Sequence, residues 1–309
     1  MGIEEPSIAV LRYSAIDVAL ETSSLKTGRS RVTDRSQAPT GFARRSRRLS
    51  DRETEQRMLQ AAVAMVNRTG LTVSLDHLSF EDIIADADVA RSAVYRRWPY
   101  KDLFFSDLVK ELAQDATPTI VNDELALIRR VVAEHVDWLE TPELRHGLVI
   151  ELFRQLALLD FQTMYGSARW RTYIALRATV MSLTEGQLRE EVQVSLARTE
   201  QDHTARVAKA WEQLVALFGY RLRPERGATF ETMATLLIAT MHGLIVMALS
   251  TPEIAAHRVQ GSPFGAAARH EWSLAAMGLA GIASAFLEPD PAVTWDDQRL
   301  TTVRQALSS

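Results

Sequence analysis

Signals that start and stop helices recur along this chain from residue 50 onward, and they constrain its fold more than any other feature. Ser50, followed three positions later by Glu53, is a capping-box pattern, and apolar residues then recur at helical spacing until Gly70. Further helix starts are indicated at Ser79 and at Thr141, which precedes a proline. No segment alternates polar and apolar residues as a half-buried strand does. The sequence therefore predicts an all-α protein.

The predicted helices form two groups of different length. The first group is short, and a break at Thr117-Pro118 separates it from long helices that continue to about residue 287. Before the first group, residues 8–20 could form a marginal amphipathic helix, and residues 22–48 have the composition of a flexible arm. The predicted helices are at about 50–70, 79–85, 91–98, 101–114, 122–140, 141–159, 162–183, 184–218, 229–249 and 268–287.

The composition excludes several kinds of chemistry. The 309 residues contain no cysteine, which excludes disulfides, thiolate catalysis and cysteine-ligated zinc. The formal net charge of −4 conceals an uneven distribution, because the arm has a single acid, Asp34, among many basic residues. Such a block can bind phosphate or remain a solvated tail. Its basic residues are Lys26, Arg29, Arg31, Arg35, Arg44, Arg45, Arg47 and Arg48.

One apolar segment, residues 233–250, approaches the length of a membrane span. Its Thr and Ser residues and the central His242 lower its hydropathy, and no basic cluster adjoins either end. A helix at a subunit interface is also apolar nearly all round, and we favour that interpretation. The acids Glu4, Glu5 and Asp17 argue against a secretory signal.

The most informative segment is residues 79–103, SFEDIIADADVARSAVYRRWPYKDL. Two short helices with a turn of about four residues between them are the geometry of a helix-turn-helix. Apolar residues suit the crossing of the two helices, and polar residues suit the outer face of the second. The inner set is Ile83, Val89, Val94 and Trp98, and the outer set is Arg91, Ser92, Tyr95 and Arg96.

This segment and the helix before it resemble the DNA-binding domain of the TetR family of repressors, over about residues 51–114. The family pattern is approximately a helix ending in Gly, an Ile-Ala helix, Ala-Gly-Val-Ser, a Tyr-Arg-His-Phe helix and Pro-Ser-Lys. The corresponding residues are Gly70, Ile83-Ile84, Ala87-Asp88-Val89-Ala90, Tyr95-Arg96-Arg97-Trp98 and Pro99-Tyr100-Lys101.

The chain departs from this pattern at four positions. Asp88 replaces the usual Gly of the turn, and Ile84 replaces a small residue at the crossing of the two helices. Ala90 replaces the usual Ser cap, and Arg97 stands where His or another polar residue is common. Asp tolerates a left-handed backbone better than most residues. The segment between Gly70 and the second helix is also a few residues longer than usual. Because of these departures together, the operator sequence does not follow from the motif.

The resemblance implies roles for particular residues. Arg91, Ser92 and Ala93 would touch base edges, where arginine can bind guanine with two hydrogen bonds. Tyr95 and Lys101 would bind phosphates and fix the register, with Arg96 and Arg97 adding basic groups beside them. Ser79 would also contact a phosphate, through its hydroxyl and the start of the second helix. The acids Glu81, Asp82, Asp86 and Asp88 are expected to lie away from the groove-facing helix.

The later helices contain no catalytic signature, and their histidines are scattered, so we expect no enzyme, cofactor or metal site. A cavity between helices for a largely apolar or amphipathic small molecule is expected from the resemblance. Large apolar side chains with a few polar groups could line it, although core packing is the commoner role for each. These are Trp138, Phe153, Met164, Tyr165, Trp170, Tyr173, Trp211, Met241 and His242.

The final two long helices are the expected dimer interface, because small residues on one face let helices approach closely. The residues that share such faces are Leu236, Thr240, Gly243, Met247, Leu274, Met277, Gly281 and Ala285.

Together these features predict a basic extension (1–48), a helix-turn-helix DNA-binding domain (49–116), a helical ligand-binding and dimerisation domain (117–290) and a loosely attached tail (291–309). The expected function is a cytoplasmic, nucleoid-associated homodimeric regulator, a repressor by family tendency, that binds a double-stranded operator and a small-molecule effector. Two alternatives remain: a DNA-organising or adaptor protein without a ligand, and an all-α enzyme.

Overall fold

The computed structural model describes residues 49–70, 78–114, 122–183 and 185–308, and over these residues the fold is predominantly helical. The predicted all-α class is confirmed. The features expected at residues 8–20, at 22–48, at Thr117-Pro118 and at Thr184 lie outside the described residues.

Twelve α-helices are present in the described part of the chain, joined in places by single 3-10 turns. They are α1 (Asp51–Thr69), α2 (Phe80–Asp86), α3 (Arg91–Arg97), α4 (Lys101–Gln114), α5 (Asn122–Glu134), α6 (Pro142–Gly166), α7 (Ala168–Ser182), α8 (Gln187–Leu217), α9 (Phe230–Ser250), α10 (Glu253–Ala256), α11 (Leu274–Phe286) and α12 (Asp297–Ser308).

Four short strands form two antiparallel pairs, which the sequence did not predict. β1 (Tyr220–Leu222) pairs with β4 (Leu287–Pro289), and β2 (Arg258–Gly261) pairs with β3 (His270–Ser273). With three or four residues each, they are too short to show a period of two in the sequence. The helix expected from residue 268 therefore begins only at Leu274, where Ser273 caps it.

The first four helices enclose a small apolar core. Its fully buried side chains include Met58 of α1, Ile83 of α2, Val94 of α3 and Phe104 of α4. The predicted capping box at Ser50 is present: its hydroxyl accepts from the Glu53 amide. Gly70 closes α1 with a positive φ of 86°.

Two longer helices complete this small core. Leu176 of α7 and Val192 of α8 are both fully buried within the same apolar cluster as the first four helices. Thr172 of α7 lies 3.3 Å from the side-chain oxygen of Asn67 in α1. The short-helix unit therefore packs directly on the larger one.

The larger core is built from α5, α6, α8, α9 and α11, with α6 and α11 in the most extensive contact. α11 approaches α9 closely at Gly278, where an added Cβ would lie 2.8 Å from the Thr240 methyl carbon. Because of this close approach, Thr240 faces its own chain.

Several predicted boundaries differ from those observed. α6 continues to Gly166, beyond the expected end near residue 159, and the break falls at Ser167, whose hydroxyl caps α7. The helix expected to run to residue 140 ends at Glu134 and is followed by a 3-10 turn. α8 begins after Gly186, which provides no side-chain cap.

The C-terminal segment also differs from the loose attachment expected for residues 291–309. Val303 of α12 is fully buried in the larger core. Arg299 donates to the carbonyl oxygens of Ala216 and Leu217 at 2.8 and 3.0 Å, capping the end of α8. α12 is therefore docked on the larger unit.

Candidate functional site

The second and third helices cross as the sequence predicted. Ile83, Val94 and Trp98 are fully buried and Val89 is half-buried, so the proposed inner face is the packed face. Ile84, which replaces a small residue at the crossing, is buried at 4% exposure. This packing fixes which side of α3 points to solvent.

The outer face of α3 carries the residues expected to read DNA. Arg91, Ser92 and Arg96 are exposed, and Tyr95 is 46% exposed. Ala93 is half-buried at the rim of this face. An arginine and a serine at the start of a short exposed helix are suited to contact the edges of bases in a major groove.

The turn and caps around α3 show the effect of the sequence departures. Asp88 adopts a φ of 50°, the left-handed conformation that glycine would take more easily. Ala90 is the N-cap of α3 and makes no side-chain cap hydrogen bond. By contrast, the Ser79 hydroxyl accepts from the Asp82 amide and caps α2. The first turn of α2 also contains Glu81, whose negative charge would repel a phosphate bound there.

One acid of the motif, Glu81, does not lie away from the outer face of α3, which corrects the sequence-based expectation for that residue. Glu81 lies 2.6 Å from Arg91 and accepts a hydrogen bond of 2.9 Å from the Tyr95 hydroxyl. The reason is geometric: the crossing of α2 over α3 brings the first turn of α2 beside the first turn and middle of α3. Sequence position alone does not reveal this.

Two further arginines of α3 also pair with acids. Arg96 forms an ion pair with Asp51, and Arg97 pairs with Glu55 at 3.2 Å and Asp107 at 3.5 Å. Arg97 is therefore tied to α1 and α4, although it remains exposed. Its pKa is raised, first by the hydrogen bond to Glu55.

Lys101 starts α4 and is exposed, with its ammonium group 4.9 Å from the centre of the Phe105 ring. Only three residues separate it from the end of α3. This position is compatible with a phosphate contact beside the groove.

A second group of polar and aromatic side chains lies in the larger unit. Trp170 and Tyr173 of α7 meet His242 of α9, with ring centres 4.8 and 5.9 Å from the histidine. Glu200 of α8 accepts from the Tyr173 hydroxyl and pairs with Arg177. We call these five residues the polar aromatic cluster.

The electrostatics of this cluster reflect burial. Desolvation lowers the pKa of His242 to about 4, despite the opposing charge of Glu200. Desolvation, helped by the hydrogen bond to Glu200, raises the pKa of Tyr173 to about 12. The Trp170 indole nitrogen is buried, and no acceptor for it exists among the described residues. A buried donor left unpaired costs about 1–3 kcal/mol.

A cleft of about 810 Å³ opens beside the cluster, between α7, α8 and α9. Its wall includes Arg177 and Glu200 of the cluster, together with Leu196 and the acids Asp202 and Glu231. Apolar and acidic groups therefore line the same space. Neither Arg177 nor Glu200 carried a signal in the sequence, because the two come together only when α7 packs on α8.

The other residues expected to bind a ligand are dispersed. Met241 is buried in the larger core beside the cluster, and Met164 packs against both. The rest are elsewhere in the larger unit: Phe153 stacks on Trp211 at 4.0 Å, Tyr165 stacks on Phe161 and Trp138 stacks on His135. None of the nine expected residues forms the wall of this cleft itself.

The expected interface residues divide between exposed and covered positions. On α9, Leu236, Gly243 and Met247 are exposed and share a face with Val246, which was not among the predicted interface residues. On α11, Ala285 is exposed.

The remaining α11 positions are shielded by the chain itself. Leu274, Met277 and Gly281 are half-buried, and a Cβ on Gly281 would lie 3.5 Å from the Phe264 ring. The 3-10 turn that carries Phe264 belongs to the β2–β3 connection, which was not predicted.

α9 is the one helix in the described ranges that is long and apolar enough to cross a membrane. It packs against α8 and α11 as a core helix, with Met233, Leu237 and Ile245 buried. Across the described residues, no group of three or more acids and histidines is placed to hold a metal ion.

The packed inner face, the left-handed turn and the exposed outer face together define α2 and α3 as a helix-turn-helix within a larger helical protein. This is the class of protein that the fold and site establish.

Several solved structures similar to this chain are regulators of transcription. A TetR-family transcriptional regulator from Agrobacterium tumefaciens matches 65% of this chain and 90% of its own, at 17% identity and a TM-score of 0.37. SmeT, the repressor of the Stenotrophomonas maltophilia multidrug efflux pump SmeDEF, matches 79% and 98%, at 18% identity and a TM-score of 0.36. TylP, a TetR regulator from Streptomyces fradiae, matches 84% and 99%, at 12% identity and a TM-score of 0.34. No protein-family model and no curated protein matches the sequence.

Proposed function

We propose that this protein is a TetR-like transcriptional repressor that binds duplex DNA as a dimer and responds to a small molecule. The observation that carries the proposal is the orientation of α3: Val94 and Trp98 are fully buried while Arg91, Ser92 and Arg96 face solvent. A helix held in this way can enter a major groove without rearranging its own core.

The DNA-contacting residues then have distinct roles. Arg91 and Ser92, with Ala93 at the rim, contact base edges and provide sequence discrimination. Tyr95 and Lys101 bind phosphates and set the register, because phosphate contacts position a protein without identifying the sequence. Arg96 and Arg97 add phosphate contacts when they exchange their carboxylate partners for DNA, and Ser79 contacts the backbone at the start of α2.

Dimerisation through α9 would place two α3 helices on one face of the DNA. The exposed apolar side chains of Leu236, Val246 and Met247, at 41%, 47% and 52% exposure, form a face that a second copy would cover. Gly243 lies in this face, and an added Cβ there would have open space around it, with no other packed group of the described residues within 4 Å. The two α3 helices of such a dimer must match half-sites about 34–36 Å apart.

The cleft beside the polar aromatic cluster is the proposed effector site. Its apolar wall and its acids, Glu200, Asp202 and Glu231, against one base, Arg177, favour an amphipathic molecule with a basic group. Such a cleft supports a sensor over the alternative of a DNA-binding adaptor without a ligand.

Helix α7 provides the route from this cleft to the DNA-binding unit. Tyr173 and Arg177 belong to the cluster, whereas Thr172 and Leu176 of the same helix contact the first core. A ligand that moves α7 therefore acts on α1 and α4 and changes the placement of α3. A coupling of about 1–3 kcal/mol would change operator affinity about five- to 150-fold.

The decisive experiment is a mobility-shift assay with the full chain on the DNA upstream of its own gene and on duplexes selected from a random pool. We expect selective binding that weakens as salt increases. Arg91→Ala should relax the preference at one base position, whereas Lys101→Ala should weaken binding to all duplexes and flatten the salt dependence. A wild-type chain that ignores every duplex in low salt would refute the proposal.

A further inference from the structure

The reading surface of this protein is neutralised by its own carboxylates. Each arginine on the outer face of α3 has an acidic partner from α1, α2 or α4. The pairs are Arg91 with Glu81, Arg96 with Asp51, and Arg97 with Glu55 and Asp107.

Glu81 is the most central of these acids. It is the one partner of Arg91 that the described residues show, and it also accepts the hydrogen bond from Tyr95. Its side chain is 45% exposed, although the carboxylate oxygen that pairs with Arg91 is itself covered. In a helix-turn-helix the first helix crosses the DNA backbone, and Glu81 stands in the first turn of that helix.

Any duplex presents phosphates to this surface, but only some present the matching base edges. To bind phosphate alone, Arg91 and Tyr95 must give up their contacts with Glu81. The free carboxylate then repels the DNA backbone, because both are negatively charged. A matching base pair compensates by accepting two hydrogen bonds from Arg91.

We infer, on the basis of the proposed DNA-binding function, that Glu81 is a specificity-determining residue that suppresses binding to non-operator DNA by competing with phosphate for Arg91 and Tyr95. The residue thus raises the ratio of specific to non-specific affinity rather than the affinity itself.

The test compares Glu81→Gln with a matched control on the same helix. Glutamine keeps an oxygen that can accept from Tyr95 and removes the charge. Asp86→Asn removes the same charge from α2, where Asp86 is 47% exposed and pairs with Arg68 of α1 at 3.1 Å. Circular dichroism and thermal melting verify that both variants fold. Glu55→Gln gives a second test, at Arg97.

Affinities are measured by fluorescence anisotropy, over a series of salt concentrations, for a duplex selected by the wild-type chain and for a scrambled duplex of equal composition. We expect Glu81→Gln to bind the scrambled duplex about tenfold more tightly, with a smaller gain on the selected one, so that discrimination falls. Asp86→Asn should change both affinities equally.

The outcomes separate this inference from the function on which it rests. If the wild-type chain selects no duplex, the proposed function fails, and the role of Glu81 with it. If it selects one but Glu81→Gln behaves like Asp86→Asn, only the inference is overturned. A loss of affinity confined to the selected duplex would also overturn it and would make Glu81 a positioning residue for Arg91.

Discussion

The indole nitrogen of Trp98 donates a hydrogen bond of 2.9 Å to the Asp107 carboxylate, which joins the end of α3 to the middle of α4. Trp98 is fully buried and packs edge-on against Phe104, with ring centres 5.0 Å apart. The last residue of the helix-turn-helix is therefore fixed by both packing and polarity, and α3 cannot move independently of α4.

Trp98→Phe tests the polar part of this connection. The substitution keeps an aromatic ring in the core but leaves Asp107 without the indole donor, so we expect a loss of about 1–3 kcal/mol in the free energy of unfolding. Asp107→Asn, which retains an acceptor oxygen, should cost less. Urea denaturation followed by circular dichroism measures both, and equal losses would contradict a role for the hydrogen bond.

Asp88 offers a test of the strained turn. Because its φ is 50°, alanine at this position should destabilise the protein by about 1 kcal/mol relative to glycine, which adopts left-handed conformations freely. The ordering of melting temperatures should be Gly at or above Asp, with Ala lowest. A more stable alanine variant would mean that the turn does not adopt this conformation in solution.

Leu176 tests whether the DNA-binding unit depends on the larger one. It is fully buried in the core of the first four helices although it belongs to α7. Leu176→Ala should reduce stability by about 2–5 kcal/mol. As a control, Val194→Ala on α8 removes a side chain that is 62% exposed and should change stability by less than about 0.5 kcal/mol. A small effect at Leu176 would indicate that the unit folds alone.

Met247→Lys tests the proposed dimer. It places a charge in the exposed apolar face of α9, where Met247 is 52% exposed, and it should convert a dimer into a monomer without unfolding the chain. Sedimentation velocity at micromolar concentration measures the change, and Val194→Lys, at an exposed apolar position on α8, serves as the control. A wild-type chain that sediments as a monomer would remove the basis for this interface.

His242 gives the protein a predictable response to acid. Its pKa in the folded state is about 4, below the ordinary 6.5, so the unfolded chain binds the proton first as the pH falls. The contribution of His242 to the free energy of unfolding is complete above pH 6.5 and decreases by about 2–3 kcal/mol as the pH approaches 4.

The neighbouring groups modify this response in known directions. Burial lowers the pKa of His203 as well, which adds to the loss of stability as the pH falls. His242→Phe should flatten the dependence of stability on pH between 6.5 and 4, whereas His257→Gln at an exposed site should leave it unchanged. An unaltered slope in His242→Phe would show that the ring is not buried as described.

The sequence by itself determined the local features of this protein. The caps at Ser50 and Ser79, the exposed face of α3 and the buried Trp98 follow from short-range patterns, because a helix orders residues over a few positions. The all-α class was predictable for the same reason. Strands as short as β1 to β4 were not predicted, because three or four residues are too few to show a detectable period.

Only the tertiary structure decided which distant groups meet. The pairing of Glu81 with Arg91 depends on the crossing of α2 over α3, and the polar aromatic cluster depends on α7, α8 and α9 bringing Tyr173, Glu200 and His242 together. Spacing along a helix fixes the face on which a side chain lies but not the helix that packs against it. That choice belongs to the core as a whole, because it depends on the shape and volume of many buried side chains at once.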